Sequence, residues 1–117
     1  MDIYPEQQPV AEVDPSDVVA MGSAIVLIDV RELDEWEAGH AAYAEHVPVG
    51  QVEAGWLPGD SRLPLAIVCR SGARSMRAAR VLSAAGFDVV NVRGGMRAWD
   101  AAGQVLVTNN GTVGAVA

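Results

Sequence analysis

"LAIVCRSGARSMRAARVLSAAG", Leu65 to Gly86, decides how the rest of the chain is read. It opens on an unbroken apolar run, passes through a short polar turn that holds a glycine, and continues as a helix-periodic segment closed by a second glycine. Apolar residues that do not alternate with polar ones suit a strand covered on both faces, so the stretch reads as strand, tight turn and helix of a parallel sheet. In its helical part, from about Gly72 to Ala85, Ala78, Val81, Leu82 and Ala85 recur at i, i+3, i+4 and i+7. They predict the stripe that faces the sheet.

Two further runs have the same character, "AIVLIDV" (24–30) and "DVVNV" (88–92). "PVAEV" (9–13) predicts another strand, and "EHVPVG" (45–50) a fifth, with Pro48 placing it at an edge or a strand end. Helices fit between them. Asp14 caps one with Pro15 in its first turn, running to Gly22. Residues 32–38 form the next, with Glu32, Asp34 and Glu35 at the positive N-terminal end, and 96–102 the last. Gly22, Gly39, Gly86 and Gly103 end the four helices and are expected in the left-handed conformation that closes one. Strand and helix in this rhythm predict an α/β domain with helices on both sheet faces.

The chain has 117 residues, enough for one domain with one core. Half are hydrophobic and a fifth charged, a globular mix with no run long enough for a membrane span. The polar, acidic opening "MDIYPEQQPV" is unlike a secretory signal, and a cytoplasmic protein is expected. Net charge is −7, which argues against nucleic acid and against anionic membranes as partners. The one cysteine, Cys69, excludes an internal disulfide, and the two histidines, His40 and His46, lie in a different segment, so no metal site is expected.

Charge is unevenly spread. Residues 61–87 hold Arg62, Arg70, Arg74, Arg77 and Arg80 and no acidic residue, and this basic island surrounds the lone thiol. In a parallel sheet the carboxyl ends of the strands share one edge, where ligands bind. Asp29 and Arg31, Cys69, and Arg93-Gly94-Gly95 all fall at that edge. In Cys69-Arg70-Ser71-Gly72-Ala73-Arg74 the turn leaves backbone N–H groups without helical partners, and Gly72 lets the chain curl around them. Amides, helix dipole and guanidiniums all favour the thiolate, and the same cup suits a small oxyanion. The alternative, Cys69 as a packed core residue, would need no such loop.

With these residues in view, the chain resembles the single-domain rhodanese-like family. The resemblance rests on "IDVRELDEWEAGH" (28–40), "VP" (47–48), "IVCRSGARS" (67–75), "AAGFDVVNVRGGMRAW" (84–99) and "AG" (102–103). It covers about residues 9–107, leaving 1–8 as an N-terminal extension and 108–117 as a tail expected to be flexible. It implies a three-layer α/β sandwich with a five-stranded, mostly parallel sheet. It also implies a sulfurtransferase in which Cys69 becomes a persulfide on a donor such as thiosulfate and passes sulfur to cyanide or a thiol, with no cofactor. Arg70, Ser71, Gly72, Ala73 and Arg74 would bind a small sulfur-containing anion. Asp29, Arg31 and Ser75 would support the loop, although Asp29 and Arg31 could instead touch substrate. A protein sulfur donor or acceptor is a further partner, and a carrier module with little thiosulfate turnover is the alternative function. Related phosphatases and arsenate reductases use a seven-residue Cys-x5-Arg loop. Here Arg74 gives the six-residue form and position 75 is Ser, so that chemistry is disfavoured.

One departure stands out. Where the family has Gly-His-Ile-x-Gly-Ala this chain has Gly39-His40-Ala41-Ala42-Tyr43-Ala44, so the backbone at Tyr43 must avoid positive φ. Trp36 and Trp99 are expected in the core and Trp56 in a loop. Arg77 and Arg80 are read as a solvated helix face. Arg93 either rings the pocket or pairs with a carboxylate.

Overall fold

Strand β4, Leu65–Val68, runs through the middle of the sheet with all four residues buried. The computed structural model describes residues 9–59 and 62–117, so the 1–8 extension lies outside the described residues. Around β4 lie β1 (Ala11–Val13), β2 (Val26–Asp29), β3 (Glu45–His46) and β5 (Val89–Val92), in the order β1-β5-β4-β2-β3. Every pairing is parallel. The helices are α1 (Pro15–Met21), α2 (Leu33–Ala38), α3 (Val49–Glu53), α4 (Ala73–Ala84) and α5 (Gly95–Ala101).

The apolar runs are continuous because each face of the sheet has its own core. Leu65, Ile67 and Cys69 point, with Ile28 and Val30, into a cluster closed by Val49 and Val52 of α3 and Ala78, Ala79 and Leu82 of α4. Ala66 and Val68 point the other way, with Leu27, onto Val18 of α1, Met96 and Trp99 of α5, and Leu106. Alternation along a strand thus serves two hydrophobic layers instead of one layer and solvent.

Three expectations change. The strand foreseen over 45–50 is only Glu45–His46, because Pro48 has no N–H to extend a ladder and instead precedes α3. The buried face of α4 is Ser75, Ala78, Ala79 and Leu82, while Val81 is 38 % exposed and Ala85 is exposed. Two small residues at 78 and 79 let the helix approach β4 closely, which outweighs the larger side chain at 81.

Gly22, Gly86 and Gly103 have positive φ, but Gly39 is extended at φ 166. Its bare Cα is needed for space, since a Cβ there would lie 2.6 Å from the backbone of Ala115. The tail accounts for that crowding. Ala115 N–H donates to Ala38 O and Gly114 N–H to Leu106 O, both at 2.9 Å. Tyr43 causes no strain, because no non-glycine among the described residues has positive φ.

Candidate functional site

Cys69 is the first residue beyond β4, and the alternation of the strand turns its side chain toward α3 and α4. The chain then reverses over Arg70 and Ser71. Gly72 closes the turn at φ 117, ψ −15, a left-handed conformation open to glycine at little cost. That geometry aims the Gly72 N–H at Cys69 Sγ, 3.0 Å away. One turn into α4, Ser75 Oγ lies 3.2 Å from the same sulfur and 3.1 Å from Gly72 O. A hydroxyl has one proton, so it donates to the carbonyl or to the sulfur, and a thiolate draws it to sulfur.

Cys69 is 1 % exposed, while Arg70, Ser71 and Ala73 above it are exposed. Burial is the largest influence on the thiol and pushes its pKa up. The Ser75 hydroxyl and the N–H groups of Ser75, Gly72 and Ser71 together outweigh it, leaving the thiol below its ordinary 9.0. Hydrogen bonds to the charged form decide the sign. The sulfur is recessed but sits among donors.

The loop is gripped from its other side by residues that sequence reasoning passed over. Met96 N–H donates to Cys69 O at 2.7 Å and Arg97 N–H to Arg70 O at 3.0 Å, so the free amides at the start of α5 bind the start of the loop. This contact is why the pair Gly94-Gly95 is there. Both have positive φ, and a Cβ on Gly95 would strike Cys69 O and come within 2.6 Å of the Arg70 carbonyl. Asn91, buried in β5, donates from Nδ2 to Gly72 O and to Glu12 Oε2, both at 3.2 Å. A polar residue inside "DVVNV" was the available signal, since a buried amide demands partners.

The arginines divide. Arg74 Nη1 and Nη2 both engage Glu35, at 2.6 and 2.8 Å, with the pair largely shielded from solvent. The Arg74 guanidinium is the main cause holding the Glu35 carboxyl down at about 2, against a smaller upward push from burial. Arg74 is raised in turn, first by the Glu35 hydrogen bonds, and also by the nearby charges of Cys69 and Glu32. Arg70 is exposed and its Nε donates to the carbonyl of Ala117 at 2.8 Å. Arg77 pairs with Glu53 on the surface, and Arg93 takes the carboxylate alternative, with Asp14 at 2.7 Å.

Asp29 and Arg31 do not bond to the thiol loop among the described residues. They form a bidentate pair with neither side chain exposed, and Arg31 Nη2 also donates to Gly39 O at 2.8 Å. What they fix is the 30–40 connection, which in turn carries Glu35 to Arg74. The reason is reach: Asp29 Oδ1 accepts from its neighbour's N–H two residues on, closing a turn on itself. Trp99 is in the core as expected, but Trp36 is half-buried between His40 and His46, with ring centroids 3.6 and 4.9 Å away. His40 Nδ1 meets Trp36 O and His46 Nε2 meets Arg31 O, each at 2.7 Å. No cluster of three His, Cys, Asp or Glu among the described residues could hold a metal ion.

A five-stranded parallel sheet with a cysteine-led turn at its central strand defines a known class of domain. The family model for the rhodanese-like domain matches residues 15–102, and the chain belongs to that family. It is 40 % identical over 76 residues to a putative sulfurtransferase of Bacillus subtilis, YtwF, covering 65 % of this chain and 74 % of that one. A putative sulfur carrier protein of the same organism, YrkF, is 40 % identical over 74 residues, which is 62 % of this chain but only 40 % of that protein's length. Among solved structures, a rhodanese-related protein from Thermoplasma volcanium superposes with a TM-score of 0.76 at 29 % identity, covering 83 % of this chain and 97 % of that one. Sulfur transfer in general follows from this membership. No helix among the described residues is long and apolar enough to cross a membrane.

Proposed function

We propose that the chain is a cytoplasmic sulfurtransferase that carries sulfane sulfur on Cys69 as a persulfide. It takes sulfur from a donor such as thiosulfate and gives it to a thiophilic acceptor, cyanide or a thiol. The observation carrying this reading is the pair of donors, Gly72 N–H and Ser75 Oγ–H, converging on one recessed sulfur. They favour the thiolate, which is the nucleophile, so no separate base is required. In the first step the Cys69 Sγ–S bond forms, the donor's S–S bond breaks, and its electron pair leaves on the departing group. The amides of 70–74 then cradle the charge on the outer sulfur.

Intact-protein mass spectrometry after thiosulfate treatment tests this. One added sulfur atom, removable by cyanide or dithiothreitol and absent in Cys69→Ser, is the expected result. Equal gain in the Ser variant overturns it. The carrier alternative, sulfur relayed between proteins with feeble thiosulfate turnover, gains support from the Glu35 pairing of Arg74, and from likeness to a protein named as a sulfur carrier. Comparing cyanide-coupled thiosulfate turnover with transfer from a desulfurase separates the two.

A further inference from the structure

We propose that Glu35 sets donor selectivity by neutralising Arg74, so that the site favours low-charge persulfide donors over dianionic thiosulfate. The inference rests on Cys69 being the sulfur carrier and concerns which donors reach it. Arg74 belongs to the loop whose Gly72 N–H and Ser75 hydroxyl meet the Cys69 sulfur, and its charge acts on that thiolate. Both terminal nitrogens of its fork are committed to the Glu35 carboxylate, and Glu32 adds a second negative charge beside it. Glu35 is not a loose surface partner. Its Oε1 also accepts the Glu32 N–H at 3.1 Å, so the start of α2 holds the carboxylate in place. Arg70, the other loop cation, is exposed and turned toward the Ala117 carbonyl, where solvent screens it.

Donor charge then matters. With thiosulfate, Cys69 Sγ attacks the sulfane sulfur, the S–S bond breaks, and sulfite leaves with the electron pair. The encounter brings a dianion to a thiolate. With a protonated persulfide R–S–S–H, Sγ bonds the outer sulfur, which keeps its proton, and R–S⁻ leaves. That encounter carries a single negative charge throughout. A guanidinium already answered by a carboxylate offers little net charge to offset that repulsion, so like-charge approach penalises thiosulfate more than the persulfide.

The test measures the rate of sulfur gain at Cys69 by intact mass, with thiosulfate and with the persulfide of an N-acetylated cysteine ester, which carries neither ammonium nor carboxylate. Each rate is divided by that of the same donor with free cysteine, which removes intrinsic reactivity. The wild-type protein is expected to favour the persulfide after this correction, and its thiosulfate rate to rise with salt as the like-charge penalty is screened. Glu35→Gln should raise the thiosulfate-to-persulfide ratio about tenfold, through KM, and make the thiosulfate rate fall with salt. Adding Arg74→Gln to Glu35→Gln should cancel that gain. A wild-type rate that prefers thiosulfate, or a ratio unmoved in Glu35→Gln, overturns the proposal. If Glu35→Gln does not fold, the wild-type salt dependence decides: a steep fall means an unpaired cation serves thiosulfate, and the proposal is wrong. Gain from neither donor sinks the sulfur-carrier reading itself, whereas gain from both without preference sinks only the role of Glu35.

Discussion

Two turns leave adjacent strands at the same edge of the sheet, and they treat charge in opposite ways. The end of β2 and the turn after it hold Asp29 and Arg31, a carboxylate and a guanidinium that answer each other with neither side chain exposed. The turn after β4 holds Cys69, whose sulfur collects donors from Gly72 and Ser75 and meets no cation face to face. One is a closed pair and the other an open cup. The fold provides both positions, and the residue types decide which becomes a neutralised pair and which gathers hydrogen-bond donors around a thiol.

Breaking the closed pair should have the largest effect. Arg31→Leu leaves the Asp29 carboxylate buried with the backbone N–H of residue 31 but without its counter-charge, and a loss of about 3–5 kcal/mol is expected in urea unfolding. Replacing both, Asp29→Leu with Arg31→Leu, should lose less than the single change, because no orphan charge remains. Gly95→Ala attacks the grip on the open cup. Its Cβ would strike Cys69 O at a backbone with φ +61, and a loss of about 2–4 kcal/mol should appear together with slower sulfur loading.

Ser75→Ala sharpens the comparison with less damage. Without the hydroxyl, the thiol titration should move upward, and alkylation by iodoacetamide at neutral pH should slow roughly three- to tenfold. Because folding lowers the Cys69 pKa below 9.0, the thiolate stabilises the fold above that ordinary value. The contribution is lost as pH falls through the lowered native value. Wild-type stability relative to Cys69→Ser should therefore rise with pH across this interval, as read from denaturant midpoints. A flat difference would mean the cup does not favour the anion. Smallest of all, Arg93→Ala removes a pair that is more than half exposed on both sides, and its effect should stay below about 0.5 kcal/mol.

The layers of the fold were legible because two-sided burial writes itself as uninterrupted Val, Ile and Leu, and the cysteine turn because a glycine and two arginines follow it at once. What escaped depends on partners distant in the chain. Asn91 matters through Gly72, and Glu35 through Arg74, and neither spacing nor composition announces a contact between separate elements. Two of the four residues expected on the buried face of α4, Val81 and Ala85, lie outside it, because hydrophobicity favours Val81 while close packing favours Ala79. Gly39 read as a left-handed cap, but its reason is steric, set by a tail whose composition suggests nothing fixed.

That tail brings Ala117 to the exposed Arg70, beside the recessed sulfur. A backbone carbonyl far along the chain thereby holds the side chain of the residue that directly follows the cysteine, so the tail and the start of the loop restrain each other.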